Sequence, residues 1–195
     1  MSTLQFPYRN RRPTRQSATV PTMPMRWRII DTSPYPGRYI TGELSLNLPF
    51  GTVADWHPTV WKTSCEHPLS TRSRGRDACC TLGNALWEVE GLVDARDALQ
   101  QIGHPQGNSH KVIWAARHER AVAEMVLVSL FADKRIYSPD PRTVVRWLSD
   151  EKMEEFRAYV QAAREGLSVE QENELRCWMG KTYQNPLLDL DDRTA

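Results

Sequence analysis

Long apolar runs are missing from this chain. Nothing in its 195 residues approaches the roughly 18–20 apolar residues that a membrane-spanning helix needs, so no membrane-spanning role is expected. The early arginines are not followed by an apolar segment, which argues against a secretory leader. Pro7, Pro13, Pro21, Pro24 and Pro34 work against the amphipathic helix of a transit peptide, and the reading is a cytoplasmic protein. Cysteine is scarce as well. Four of them, with Cys79 and Cys80 adjacent, do not make a disulfide framework. Of 25 basic residues only 5 are lysine, which leaves 20 arginines; that ratio alone says nothing about nucleic acid. The chain also lacks a glycine-rich phosphate loop, a nucleophile elbow, a His-Glu-x-x-His helix, internal repeats and low-complexity segments. No motif therefore ties it to one reaction.

The length suits one domain of ordinary size with a small appendage. The apolar and charged fractions, 40% and 25%, are those of a folded globular chain. Its organising stretch is Lys111 to Asp133, the most apolar long run. Val112, Ile113 and Trp114 open it like a buried strand. Val122, Met125, Val126 and Ser129 then recur at spacings of three and four, which marks a helix face.

Around that unit the chain divides into four parts: a basic arm over 1–25, an α+β core over 26–137, a helical region over 138–185 and an acidic tail over 186–195. The arm is polar and proline-spaced, and no acid precedes Asp31. RWRII reads as a first strand. Residues 37–48 alternate, with Ile40, Leu44, Leu46 and Leu48 on one side, as in a half-buried antiparallel strand. Pro49 to Asp77 reads as long loops with one short strand. Leu86, Trp87 and Val89 suggest another strand, and Leu92, Ala95 and Leu99 a helix stopped at Gly103.

Beyond Asp133 the signals are helical. Asp140-Pro141, Ser149 and the Ser168/Gln171 pair are three helix starts in succession. Gly180 is expected to close the last helix. The fold class is thus α+β: a small, mostly antiparallel sheet with one or two packed helices, followed by a three-helix C-terminal region.

Four constellations carry candidate chemistry. His57, Cys65, His67, Cys79 and Cys80 gather five of the chain's nine Cys and His residues within 24 positions. Cys65, His67, Cys79 and Cys80 supply donor types that zinc prefers, although the spacings are not those of a finger; the other reading is core thiols and surface imidazoles. Asp55, Trp56 and His57 place an acid, a stacking surface and an imidazole together. Arg72, Arg74 and Arg76 follow within reach of phosphate oxygens, or form a solvated loop.

The third constellation is His118 at a strand-to-helix corner, either a catalytic group paired with His57 or a hydrogen-bonded boundary residue. Arg120 and Glu124 beside it read as an ordinary i,i+4 pair. In the fourth, Arg142, Arg146 and Trp147 on the C-terminal helices resemble a DNA-reading surface only weakly, because the neighbouring helices are acidic.

The charge separation points to an accessory or interaction protein in a nucleic-acid-associated assembly. Arg9, Arg11, Arg12 and Arg15, with the Arg72–Arg76 loop, would meet phosphates, and the acidic helices a protein partner. The alternatives are a small nuclease or related hydrolase using His57 and His118, with Asp55, and a structural assembly subunit.

Overall fold

The structure is a computed structural model that describes residues 26–27, 30, 37–50, 62–63 and 74–182. Its architecture is α+β with a helical C-terminal region. A short antiparallel pair, β1 (Arg26–Trp27) and β2 (Lys62–Thr63), matches Arg26 with Thr63 and Trp27 with Lys62. A second antiparallel pair, β3 (Leu92–Asp94) and β4 (Trp114–Ala116), sets Leu92 opposite Ala116. Ile40 bridges to the other edge of β4 in parallel, through Ile40 N–H to Trp114 O at 2.9 Å and Ala116 N–H to Ile40 O at 2.8 Å.

The helices are α1 (Glu43–Leu46), α2 (Arg74–Trp87), α3 (Arg96–Gln101), α4 (His118–Asp133), α5 (Pro141–Trp147), α6 (Asp150–Ala162) and α7 (Val169–Thr182). Helix α4 is the centre. Its alanines, leucines and glutamates are strong helix formers. Every residue from Glu119 to Glu124 is buried, with Val126, Leu127 and Leu130 beyond them. A helix buried on all sides belongs to a core rather than to a surface, and α2, α6 and α7 pack around this one.

The last three helices start where local chemistry tells them to. The Asp140 carboxylate accepts from Arg142 N–H at 2.8 Å, with Pro141 in the first turn. Ser149 caps α6. At α7, Ser168 N–H donates to Gln171 Oε1 at 2.9 Å and Gln171 N–H donates back to Ser168 Oγ at 3.3 Å, a complete capping box. The main core joins Val122, Val126 and Leu130 of α4 to Trp87, Val144, Phe156, Leu175 and Trp178 from the surrounding helices. Each large apolar side chain so buried contributes roughly 1.5–3 kcal/mol. A second cluster, with Ile40, Leu48, Leu99, Ile102 and Ile113, packs beneath α3 and the second sheet.

Several expectations are corrected. Residues 40–48 form no strand beyond the Ile40 bridge; they turn into α1. Ile40, Leu44 and Leu48 are also four apart, so one apolar set satisfies both patterns. Tertiary contacts decide: Gly42 sits at φ 60, and the supposedly outward Thr41 and Ser45 are buried, their hydroxyls donating to Glu124 and to the Ala116 carbonyl. Residues 82–87 are the end of α2, not a strand, and Val89 belongs to the turn after it. Arg74 and Arg76 open this helix rather than lying in a loop. Leu92 to Asp94 is β3, so the helix there begins only at Arg96. In the organising stretch the strand falls two residues later, at Trp114–Ala116. Helix α7 runs through Gly180 to Thr182.

Candidate functional site: a cleft at the start of the central helix

Where β4 ends, Arg117 turns the chain into α4 with an extended backbone (φ −60, ψ 159) and no side-chain cap of its own. This corner faces three other elements. The end of β3 brings Val93 and Asp94, the segment after α1 brings Phe50, and the α5–α6 junction brings Trp147, Leu148, Ser149 and Lys152. Together with Arg117, His118 and Glu119 they enclose a cleft of about 490 Å³. That volume falls in the usual range for small-molecule sites. Two helix starts, those of α4 and α6, border it.

The charges of the cleft are largely neutralised among themselves. Arg96 grips Asp94 through Nε at 2.8 Å and through its terminal nitrogen at 2.6 Å, which holds the carboxyl below its ordinary range against some burial. Lys152 bridges two acids, Glu155 at 2.8 Å and the buried Glu119 at 3.4 Å. Burial, together with the Glu155 carboxylate beside it, raises the pKa of Glu119. The Lys152 ammonium lowers that of Glu155. The two carboxyls around one ammonium are thus shifted in opposite directions, Glu119 up and Glu155 down.

His118 donates from Nε2 to the Leu48 carbonyl at 2.9 Å, and Phe50 leans on its ring at 5.5 Å. Burial pulls its pKa below 6.5, so the ring is neutral near physiological pH. Arg117 is exposed and forms no salt bridge among the described residues. Counting Asp94 with Arg96 and Lys152 with Glu155 as neutral pairs, the lining is left with the Arg117 guanidinium and the buried Glu119 carboxyl.

Of the residues singled out from sequence, His118 lines this cleft. Cys79 and Cys80 occupy consecutive positions in α2 and are buried, and burial pushes the Cys79 thiol well up. Such a thiol resists becoming the thiolate that a metal requires. Among the described residues no three His, Cys, Asp or Glu side chains converge as a metal site. Arg74 and Arg76 begin α2, with side chains outside the described residues. Asp55, Trp56, His57, Cys65, His67, Arg72 and the arm arginines Arg9, Arg11, Arg12 and Arg15 also lie outside the described residues.

Two features escaped the sequence reading. Trp147 and Lys152 come from separate helices, α5 and α6, so no spacing ties them to the His118-Glu119 corner. And the Arg120–Glu124 pair is not an ordinary surface pair: both side chains are 0% exposed. Arg120 donates to Glu124 at 2.8 Å, to the Tyr39 hydroxyl at 2.9 Å and to the carbonyls of Glu88 and Glu90. Glu124 in turn accepts from Tyr39 and Thr41. The Arg120 guanidinium also lies over the rings of Tyr39 and Trp87. No family model, curated protein or solved structure matches the chain.

Proposed function

We propose that the protein is an accessory or interaction protein of a nucleic-acid-associated assembly, and that the cleft at the start of α4 receives a phosphate-bearing group. The observation that carries this reading is Arg117: an exposed guanidinium without a salt bridge among the described residues, at a helix start, in a lining whose other charges are paired. A guanidinium holds phosphate oxygens bidentately. Trp147 and Phe50, both half-buried, offer ring surface against which a base can stack. The arm arginines and Arg72, Arg74 and Arg76 extend the phosphate contacts, and the acidic helices meet a protein partner.

Fluorescence anisotropy with a short 5′-phosphorylated single strand tests this reading. Arg117→Ala weakens binding and lowers the salt slope by about one, and deleting residues 1–25 weakens it further. Binding that is unchanged in Arg117→Ala overturns the role of the cleft.

A second reading, a small nuclease or related hydrolase, is favoured by the buried Glu119, which lines the cleft with His118 and whose pKa burial raises. Here Glu119 is the proton donor, with His118 and His57 as further candidates. Phosphodiester turnover by the parent, lost in Glu119→Gln without loss of thermal stability, supports it; a parent with no turnover excludes it. A structural assembly subunit would show neither affinity nor turnover.

A further inference from the structure

The turn after α2 is held from below and bare on top. Helix α2 stops at Trp87, and Glu88 follows in the left-handed region at φ 46, where an L side chain is strained. Arg120 pins this conformation by donating to the carbonyls of Glu88, at 3.1 Å, and Glu90. Gly91, at φ 71, closes the turn against α6: a Cβ there would stand 2.3 Å from the Tyr159 hydroxyl.

The outward side of this fixed turn is exposed, including Glu88 and Glu90. Val89 is 50% exposed at its tip and Leu86 is 36% exposed just before it. Beside the tip opens a cavity of about 290 Å³. Its floor is the edge-on pair of Trp87 and Tyr159, with ring centroids 5.0 Å apart. Ala158 and Ala162 wall it, and Glu90 and Glu155 stand at its rim. The Trp87 indole N–H meets no acceptor among the described residues.

Carboxylates stand on both sides of the opening, and of these Glu88 and Glu90 form no salt bridge among the described residues. Glu151, Glu155, Ala158 and Ala162 follow one another at helical spacing on α6, so acids continue the wall that the alanines begin. Lys152 is engaged by Glu155 and Glu119 and Arg157 by Glu154, while the exposed Arg117 acts on Glu155 from the cleft side. An exposed valine alone needs no explanation. A strained turn clamped by a buried cation, presenting an apolar tip beside a carboxylate-rimmed apolar cavity, is the anatomy of an interface: apolar centre, polar rim.

We propose that the 88–91 turn and this cavity dock a basic peptide segment of a partner protein, with an apolar side chain entering beside Val89 and flanking Lys or Arg side chains meeting Glu88 and Glu90. The inference deepens the reading above by naming the chemistry of the protein partner, and it rests on that reading. A partner already bound to nucleic acid is itself a source of such basic segments.

The test uses the full chain, labelled for amide NMR, and three probes: a short synthetic peptide with Lys and Arg around a central Leu, its Asp- and Glu-substituted counterpart, and a peptide of residues 1–25 of this chain. The basic peptide shifts the amides of Val89, Glu90, Ala158 and Ala162, and its binding weakens with salt. Val89→Asp with Glu90→Lys lowers its affinity by about tenfold, with the melting temperature preserved. That double variant leaves oligonucleotide binding at Arg117 unchanged, so failure of this surface and failure of the cleft are read separately. Equal binding of the acidic peptide, or undiminished binding to the double variant, overturns the proposal. Tighter binding by the 1–25 peptide at the same amides also overturns it, assigning the surface to the chain itself.

Discussion

Replacing Arg120 with methionine keeps the length of the side chain and removes its charge. Glu124 then remains, with only the Tyr39 hydroxyl at 2.5 Å and the Thr41 hydroxyl as donors, in a site that is 0% exposed. Breaking a buried pair by removing one partner costs about 3–5 kcal/mol. The Glu88 and Glu90 carbonyls also lose their donor, but both residues are exposed and water can replace it. A loss of about 4 kcal/mol corresponds to roughly 8–16 °C in melting temperature for a chain of this size.

Urea unfolding followed by circular dichroism measures the loss. Burial already raises the Glu124 pKa, and without Arg120 it rises further. A carboxyl whose folded-state pKa is raised contributes stability at low pH that is lost as pH rises through the folded value. The deficit of Arg120→Met therefore shrinks as pH falls towards the ordinary carboxyl value of 4.5. Arg120→Met with Glu124→Leu should be less damaged than Arg120→Met alone, since no charge stays buried, with a coupling of about 1–3 kcal/mol. A single variant within about 1 kcal/mol of the parent would refute the view that this pair is locked in the core.

Two further outcomes are expected. His118 has a depressed folded pKa, so the stability it contributes is present above its unfolded value of 6.5 and is lost as pH falls through the folded one. Unfolding titrations should show stability falling on acidification, with that part of the slope absent in His118→Gln. In Gly83→Ala the new Cβ would stand 2.2 Å from Glu124 Oε1 and 2.3 Å from the Tyr39 hydroxyl. Overpacking of this kind costs about 1–3 kcal/mol, and a thermal melt matching the parent would show that α2 and α4 are free to separate there.

The C-terminal helices were legible because their starts depend on residues two or three positions apart. Asp140 with Pro141, Ser149, and Ser168 with Gln171 carry the signal whatever surrounds them. Residues 40–48 were not legible, because Ile40, Leu44 and Leu48 fit both periods and the deciding partners, Glu124 and the Ala116 carbonyl, are distant in sequence. Helix α2 was obscured by its own composition: CCTLGN is weak in helix formers, and Gly83 lies inside it. That glycine is explained only by the Glu124 carboxylate and Tyr39 hydroxyl pressed against it. The corner at His118 could be read from its neighbours, but the opposite wall, Trp147 and Lys152, belongs to helices whose packing angle no local pattern encodes.

The bridge between Ile40 and β4 has a consequence for how this chain behaves when cut. Among the described residues, one edge of β4 is covered by β3 and the other by the backbone at residue 40, which takes up Trp114 O and Ala116 N–H. A fragment beginning after residue 50 would keep β3, α4 and the C-terminal helices and present that second edge bare. Unpaired strand edges recruit strands from other molecules. Such a fragment is therefore expected to self-associate through β4, at the edge that Ile40 shields in the intact chain.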